Sequence, residues 1–173
     1  MDLEKIGKMS DALDDLTPIQ IGTTGMFSGE KFEVIGRLKV GYDGGFWNEW
    51  YTFFGSEKIA WLVEAQGFFG LCFPYDGVTV PDQESVKVGR IIDFGKAGYF
   101  EIEDMREVSC IFSEGELPMN AVEGRKSLSV DLTGPDDSMA TIEYAAHQRR
   151  VFLGDYIDFD EFQFKNLRPI DGW

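Results

Sequence analysis

Two periodicities divide the chain. Over residues 1–16, Leu3, Ile6, Met9, Leu13 and Leu16 recur at helical spacing, with Asp and Lys between them, which predicts a short amphipathic helix. Pro18 disfavours helix at Thr17. The segment 1–18 is therefore predicted to cover a barrel end or sheet edge, with a partner-binding arm as the alternative. From Ile19 the period becomes two. "KFEVIGRLKV" places Phe32, Val34, Leu38 and Val40 on one face, with Gly36 as a gap, and Glu33, Arg37 and Lys39 on the other. That is the signature of a half-buried strand. "YDGGF" supplies a turn tolerant of positive φ, and "GGFWNEWYTFF" reads as the next strand. "GSEK" turns the chain again, and "IAWLVEAQG" and "FFGLCFP" continue the meander.

The second half has the same character. "SVKVGRIIDFG", "GYFEIED", "REVSCIFSEG", "KSLSVDLTG", "SMATIEYAA", "RRVFLGDYIDF" and "FQFKNL" are strand-like runs bounded by Gly, Asp and Pro. After Pro18 the only hint of helix is a turn near "ELPMNAVEG". An internal echo links the halves. "IQIG" matches "VKVG", "FEVI" matches "FEIE", and "IAWLVEA" matches "MATIEYA", in the same order and at spacings of 67, 68 and 80 residues. The growing spacing places an insertion in the second half, in the acidic stretch "FSEGELPMNAVEG". The expected fold is all-β: an antiparallel meander forming small barrel-like units, in two related copies, with a short N-terminal α-helix. The expected domains are the helix, 1–18, and a β domain, 19–173, with subdomains at about 19–80 and 81–173.

Composition supports a packed core. A 173-residue chain buries roughly two thirds of its unfolded surface without metal or disulfide. Its 14% aromatics and 20 glycines against 6 prolines point to a turn-rich β protein rather than disorder. The net charge of −15, from 31 acids and 16 bases, repels phosphate backbones and anionic lipid. Residues 1–75 hold 11 acids and 6 bases, and the remainder 20 and 10, so no basic domain hides behind an acidic tail. Small β-barrels with aromatic platforms do bind single strands, but this chain lacks the basic groove, and nucleic acid is not an expected partner.

The catalytic repertoire is thin. Cys72 and Cys110 form neither a metal pattern nor a disulfide framework, so reduced thiols are expected. "MDLEKIGKMSD" lacks the apolar core of a leader, and no apolar run approaches the roughly 18 residues of a membrane span. A cytoplasmic protein without membrane insertion is the expectation. The single histidine, His147, reads as a surface residue, and spacing does not support its pairing with either cysteine. No G-x-S-x-G elbow, phosphate loop or zinc cluster occurs. "DLTGPDD" and "DYIDFDE" do not fit an EF-hand and read as solvated turns. No cofactor or metal is predicted.

Gly44–Phe54 holds the candidate site. Strand alternation puts Phe46, Asn48, Trp50, Thr52 and Phe54 on one face, and Trp47, Glu49, Tyr51 and Phe53 on the other. Both faces are aromatic, as in a strand covered on both sides, so Asn48 and Glu49 need polar partners. Arg37 is the expected partner of Glu49, and Glu64 and Gln66 are polar neighbours on the next strand. These residues form either a network that fixes strand register or an aromatic-lined recognition surface.

The same residues carry a resemblance. Val34–Arg37, Trp47–Tyr51 ("WNEWY") and Trp61–Gly67 ("WLVEAQG"), with the closing "MATIEYAAHQRRVFLGDYIDFDEF", resemble the bacterial domain-of-unknown-function family 4178, from Ile19 to about Phe164. The resemblance implies no established activity. It implies a non-catalytic accessory role, in bacterial envelope or membrane-stress systems. The leading expectation is a non-enzymatic binding or adaptor domain acting through Trp47, Asn48, Glu49, Trp50, Tyr51, Trp61, Glu64 and Gln66. Its partner would be a protein, with peripheral membrane association through a membrane-protein partner. The alternatives are a carboxylate-dependent enzyme or enzyme subunit using a pair such as Glu49 and Glu64, and an acidic inhibitor or immunity-type protein that masks a basic partner.

Overall fold

The computed structural model describes residues 16–55, 57–119, 124–146 and 148–169. It contains ten antiparallel strands: β1 (Thr24–Phe27), β2 (Glu30–Tyr42), β3 (Gly45–Phe54), β4 (Ile59–Ala65), β5 (Phe68–Pro74), β6 (Ile91–Asp93), β7 (Tyr99–Gly115), β8 (Lys126–Thr133), β9 (Ser138–Ala145) and β10 (Gln148–Tyr156). The strand order is β1-β2-β3-β4-β5-β10-β9-β8-β7-β6, and β2 also pairs with β7. That pairing closes β2–β5 and β7–β10 into one eight-stranded barrel, with β1 and β6 added outside β2 and β7. The all-β barrel expected from the period-two pattern is what forms, as a single closed barrel.

Several expected elements take a different form. The N-terminal helix falls on residues 1–15, outside the described residues, while Leu16–Pro18 are not helical. Among the described residues the only helices are 3-10 turns, at Gln83–Ser85, Gly95–Ala97, Pro135–Asp137 and Phe159–Phe162. "FQFKNL" is not a strand: it leaves the last of these turns and makes one isolated bridge, Lys165 to Thr24. Of "SVKVGRIIDFG" only Ile91–Asp93 is extended in a sheet. "GYFEIED" and "REVSCIFSEG" fuse into the 17-residue β7.

The largest departure is inside β2. The β2–β3 register slips between Val34 and Gly36, so that Val34 faces Thr52 while Arg37 faces Trp50. A bulge of one residue inverts every side chain beyond it. Phe32 and Val34 therefore pack in the outer core, whereas Leu38 and Val40 turn into the barrel. The single apolar face read from alternation is split across both sides of the sheet. Arg37 and Lys39, expected on the polar face, are buried at 5% and 3% exposure.

Three cores result. Leu38, Val40, Tyr51, Trp61, Cys72 and Val108 fill the lumen. Outside β2–β5, Phe32, Val34, Trp50, Phe54 and Leu62 pack beneath Ile19 and Phe162. Outside β7–β10, Phe94, Phe100, Ile102, Val130 and Ile142 form the third cluster. Each outer core is closed by the tail of the other half. Tyr75, Val78 and Val80, which follow β5, pack on the β7–β10 core. Ile157, Phe159 and Phe164, which follow β10, pack on the β2–β5 core.

The sequence echo falls on equivalent places. The Gly22 N–H donates to the Val34 carbonyl at 2.8 Å, and the Gly89 N–H to Ile102 at 2.8 Å. Both halves carry the same bulge, between Val34 and Gly36 and between Ile102 and Asp104. Leu62 faces Leu71 as Ile142 faces Val151. The insertion falls in the connection after β7, within the stretch named for it. The lengthened end of β7 is what closes the barrel, since Phe112, Ser113, Glu114 and Gly115 pair with Lys39, Leu38, Arg37 and Gly36.

Candidate functional site

Strand β3 presents two distinct chemistries on its two faces. On the outer face, Asn48 is buried at 3% exposure, and its Oδ1 accepts from Arg37 Nε at 3.1 Å and Nη2 at 2.8 Å. Asn48 Nδ2 donates to Glu64 Oε1 at 3.1 Å, and Trp50 Nε1 donates to the same oxygen at 3.3 Å. Thr17 Oγ1 donates to Glu64 Oε2 at 2.7 Å, tying the leading segment to β4. Arg37 also lies 4.7 Å from the Trp50 ring centroid and 3.8 Å from Glu114. A buried guanidinium needs such a shell, because an unpaired buried charge is strongly destabilising.

Beside this network lies a groove of about 830 Å³. Its walls are the β2–β3 turn around Phe46, the β4–β5 turn at Gln66, the segment Leu16–Pro18, and Phe159, Leu167 and Arg168 from the C-terminal tail. Gln66 and Gly67 both have positive φ, at 50° and 82°, which gives β4–β5 a tight turn at the rim. Phe46 is 44% exposed, and Lys39 Nζ sits 3.9 Å from its ring centroid.

On the inner face, Trp47, Glu49, Tyr51 and Trp61 turn into the lumen. Tyr51 and Trp61 rings pack with centroids 5.0 Å apart. The lumen encloses a cavity of about 80 Å³ lined by residues of all eight barrel strands, polar ones among them: Glu49, Ser127, Ser129, Thr141, Glu143 and Arg150. Burial raises the Glu49 carboxyl to about 8, with the Glu143 charge adding to the rise; Arg150 and a hydrogen bond from Trp47 oppose it. Glu49 is part-exposed by surface area, but that surface lines the lumen cavity, so desolvation governs. Glu143 accepts from Arg150 Nη2 at 2.7 Å. Thr141 donates to Asp131 at 3.3 Å; desolvation, with the Asp104 charge adding to it, raises the Asp131 carboxyl toward about 6, a rise that solvent tempers because the residue is exposed by surface area. Burial, then the Glu49 charge, pushes the Cys72 thiol up, which makes it a poor nucleophile at neutral pH. Cys110 is also on the lumen wall, and its thiol donates to the Phe112 carbonyl at 3.7 Å.

The expected site residues therefore divide into two groups. Asn48, Trp50, Glu64 and Gln66 belong to the outer face, and the alternation read for β3 holds. Trp47, Glu49, Tyr51 and Trp61 belong to the lumen. The expected Arg37–Glu49 pair does not form: the bulge hands Arg37 to Asn48, and Leu38 is what faces Glu49 across the strands. Glu49 and Glu64 lie on opposite faces of the sheet and cannot share one substrate. The carboxylate on the Glu49 side is Glu143. Glu143 and Arg150 had no sequence signal of their own; the echo aligns Glu143 with Val63, and the structure shows both lining the lumen. His147 lies outside the described residues.

Fold and site together define a closed β-barrel with a charged, mostly filled lumen and a groove on one outer face. The chain belongs to the family described as Domain of unknown function (DUF4178), which matches residues 20–159. No curated protein and no solved structure matches the chain.

Proposed function

We propose that this protein is a non-enzymatic binding module that takes an apolar segment of a protein partner into the groove between Phe46, Gln66 and the C-terminal tail. The groove itself carries the reading. Its volume of about 830 Å³ falls in the range of roughly 300–1,000 Å³ common to ligand clefts. Apolar side chains line it, and polar groups stand at fixed places on its wall. Asn48 and Glu64 are held by the Arg37–Trp50–Thr17 network before any partner arrives, which lowers the ordering cost of binding. The buried thiol of Cys72 fits a reducing, cytoplasmic setting.

A photo-cross-linking side chain at Phe46, compared with one at Tyr99, tests this reading in native extract. Tyr99 is exposed and lies on the other half of the barrel. The expected result is one protein adduct specific to position 46 that survives high salt. An adduct lost with salt would favour the acidic inhibitor, because charge masking is screened and apolar contact is not. No adduct, or the same adducts from both positions, would overturn the groove as the site.

A further inference from the structure

Arg150 is the side chain that the outer groove does not account for. Its Nη2 is bonded to Glu143, but its Nε is buried with no hydrogen-bond partner. A charged donor left unsatisfied in a protein interior is costly, and a guanidinium has five donors arranged to grip a planar carboxylate. Arg150 also stands between two cavities. It lines the lumen, and it lines a second cavity of about 470 Å³ with Ile59, Tyr75 and Pro118. The two share Trp61, Met119, Arg150 and Phe152. The larger is thus a mainly apolar vestibule to the smaller, with Asp76 and Gln148 also on its walls and one cation, Arg150, at the junction.

We propose that lumen and vestibule form a binding site for a small monocarboxylate, its carboxylate on the Arg150 guanidinium and its short apolar chain against Trp61, Met119 and Phe152. The size fits: a lumen cavity of about 80 Å³ admits a head group, while the vestibule takes the chain. Deeper donors are at hand in the hydroxyls of Ser127 and Ser129. Glu49 retains its proton at neutral pH and so offers an O–H to the head group instead of repelling it. A cationic ligand would meet Arg150 at the entrance. A dianion would meet Glu143 and the field of a protein with net charge −15. This site is on the opposite face of β3 from the groove and stands independently of it.

The test titrates the folded full chain with acetate, butyrate and hexanoate, with hexanol and hexylamine as controls. Readouts are calorimetry and tryptophan fluorescence, since Trp47 and Trp61 line the lumen. Hexanoate should saturate, more tightly than acetate and at least about ten-fold more tightly than either control, as expected for one charge-assisted hydrogen bond. The double variant Arg150→Gln with Glu143→Gln removes the guanidinium without stranding its partner, and should weaken hexanoate by a similar factor. Ile59→Trp, which fills the vestibule away from the ion pair, should do the same if the double variant fails to fold. Hexanol binding as tightly as hexanoate, unchanged hexanoate binding in a folded variant, or no saturation by millimolar hexanoate would overturn the proposal.

Discussion

Glu49 stores a pH dependence that can be read from stability alone. Its folded carboxyl is raised to about 8 from an ordinary 4.5. Between those values the native state holds a proton that the unfolded chain has released. Stability therefore falls as pH rises from about 4.5 to 8 and levels off above, the opposite of a salt-bridged acid. Glu49→Gln removes the titration. Its advantage over wild type in urea unfolding should grow from pH 5 to pH 8 by up to a few kcal/mol, at about 1.4 kcal/mol per pH unit. A constant difference across that range would mean the carboxyl is hydrated in the lumen. Asn48 behaves differently. Asn48→Ala removes the acceptor of two buried Arg37 N–H groups and should cost about 2–4 kcal/mol at any pH in this range, again by urea unfolding. At this scale the sequence was half legible. Alternation assigned each side chain of β3 to its face, and the demand that Asn48 and Glu49 find partners was sound. The partners were legible only in part: Glu64, a polar neighbour on the next strand, faces Asn48 directly from β4, but the bulge that gives Arg37 to Asn48 was not announced, and Arg150 approaches Glu49 from a strand about a hundred residues away in the chain.

At the scale of elements, the bulge after Val34 decides what the outer face can hold. Without it, Arg37 and Lys39 would point into the lumen, and Leu38 and Val40 toward the groove. Nothing in "VIGRL" announces the slip except Gly36, and Gly36 has a second task. It faces Gly115 across the seam that closes the barrel, where a Cβ would overlap the Glu116 carbonyl. At the other seam a Cβ on Gly154 would overlap the Leu71 carbonyl. Gly36→Ala and Gly154→Ala should each push a strand pair apart, lowering stability by about 3 kcal/mol or more. Gly29→Ala, where nothing stands within 4 Å, should cost about 1 kcal/mol, from its φ of 77° alone. Thermal melts of the three variants check the ranking. Strand existence was legible because period-two runs bounded by turn residues are strong local signals. The fate of "FQFKNL" was not, since Phe162 and Phe164 are called to the outer core by rings on other strands: Phe162 lies 6.0 Å from Phe32 and Phe164 lies 6.3 Å from Phe69.

For the whole molecule, the matched registers and exchanged tails describe two similar meanders, each finished by the other. The weak sequence echo was enough to align them because it fell on positions where packing constrains the chain. Phe32 and Phe100 are both fully buried, and Val34 and Ile102 both precede a bulge. The symmetry extends to the described segments that flank the barrel. The Arg168 N–H donates to the Pro18 carbonyl at 2.8 Å, so the first and last described segments lie side by side over the β2–β5 core. Over the β7–β10 core one continuous segment, from Tyr75 to Gly89, does the work that those two ends share. If the halves are equivalent as folding units, the break in the chain can be moved from one place to the other. A permutant that joins the native ends through a flexible linker and opens in the exposed turn Gln83–Ser85 leaves every strand pair intact. It should fold to the same barrel, with near-UV circular dichroism unchanged and a melting temperature within about 5–10 °C of wild type, a loss of roughly 1–3 kcal/mol in a chain this long. A permutant opened instead between Gly36 and Gly41 cuts β2 where it pairs with both β3 and β7, and should not fold. Failure of the first permutant alone would mean that the covering segment over β7–β10 has to be continuous, and that the two halves have diverged in how they fold although their registers still match.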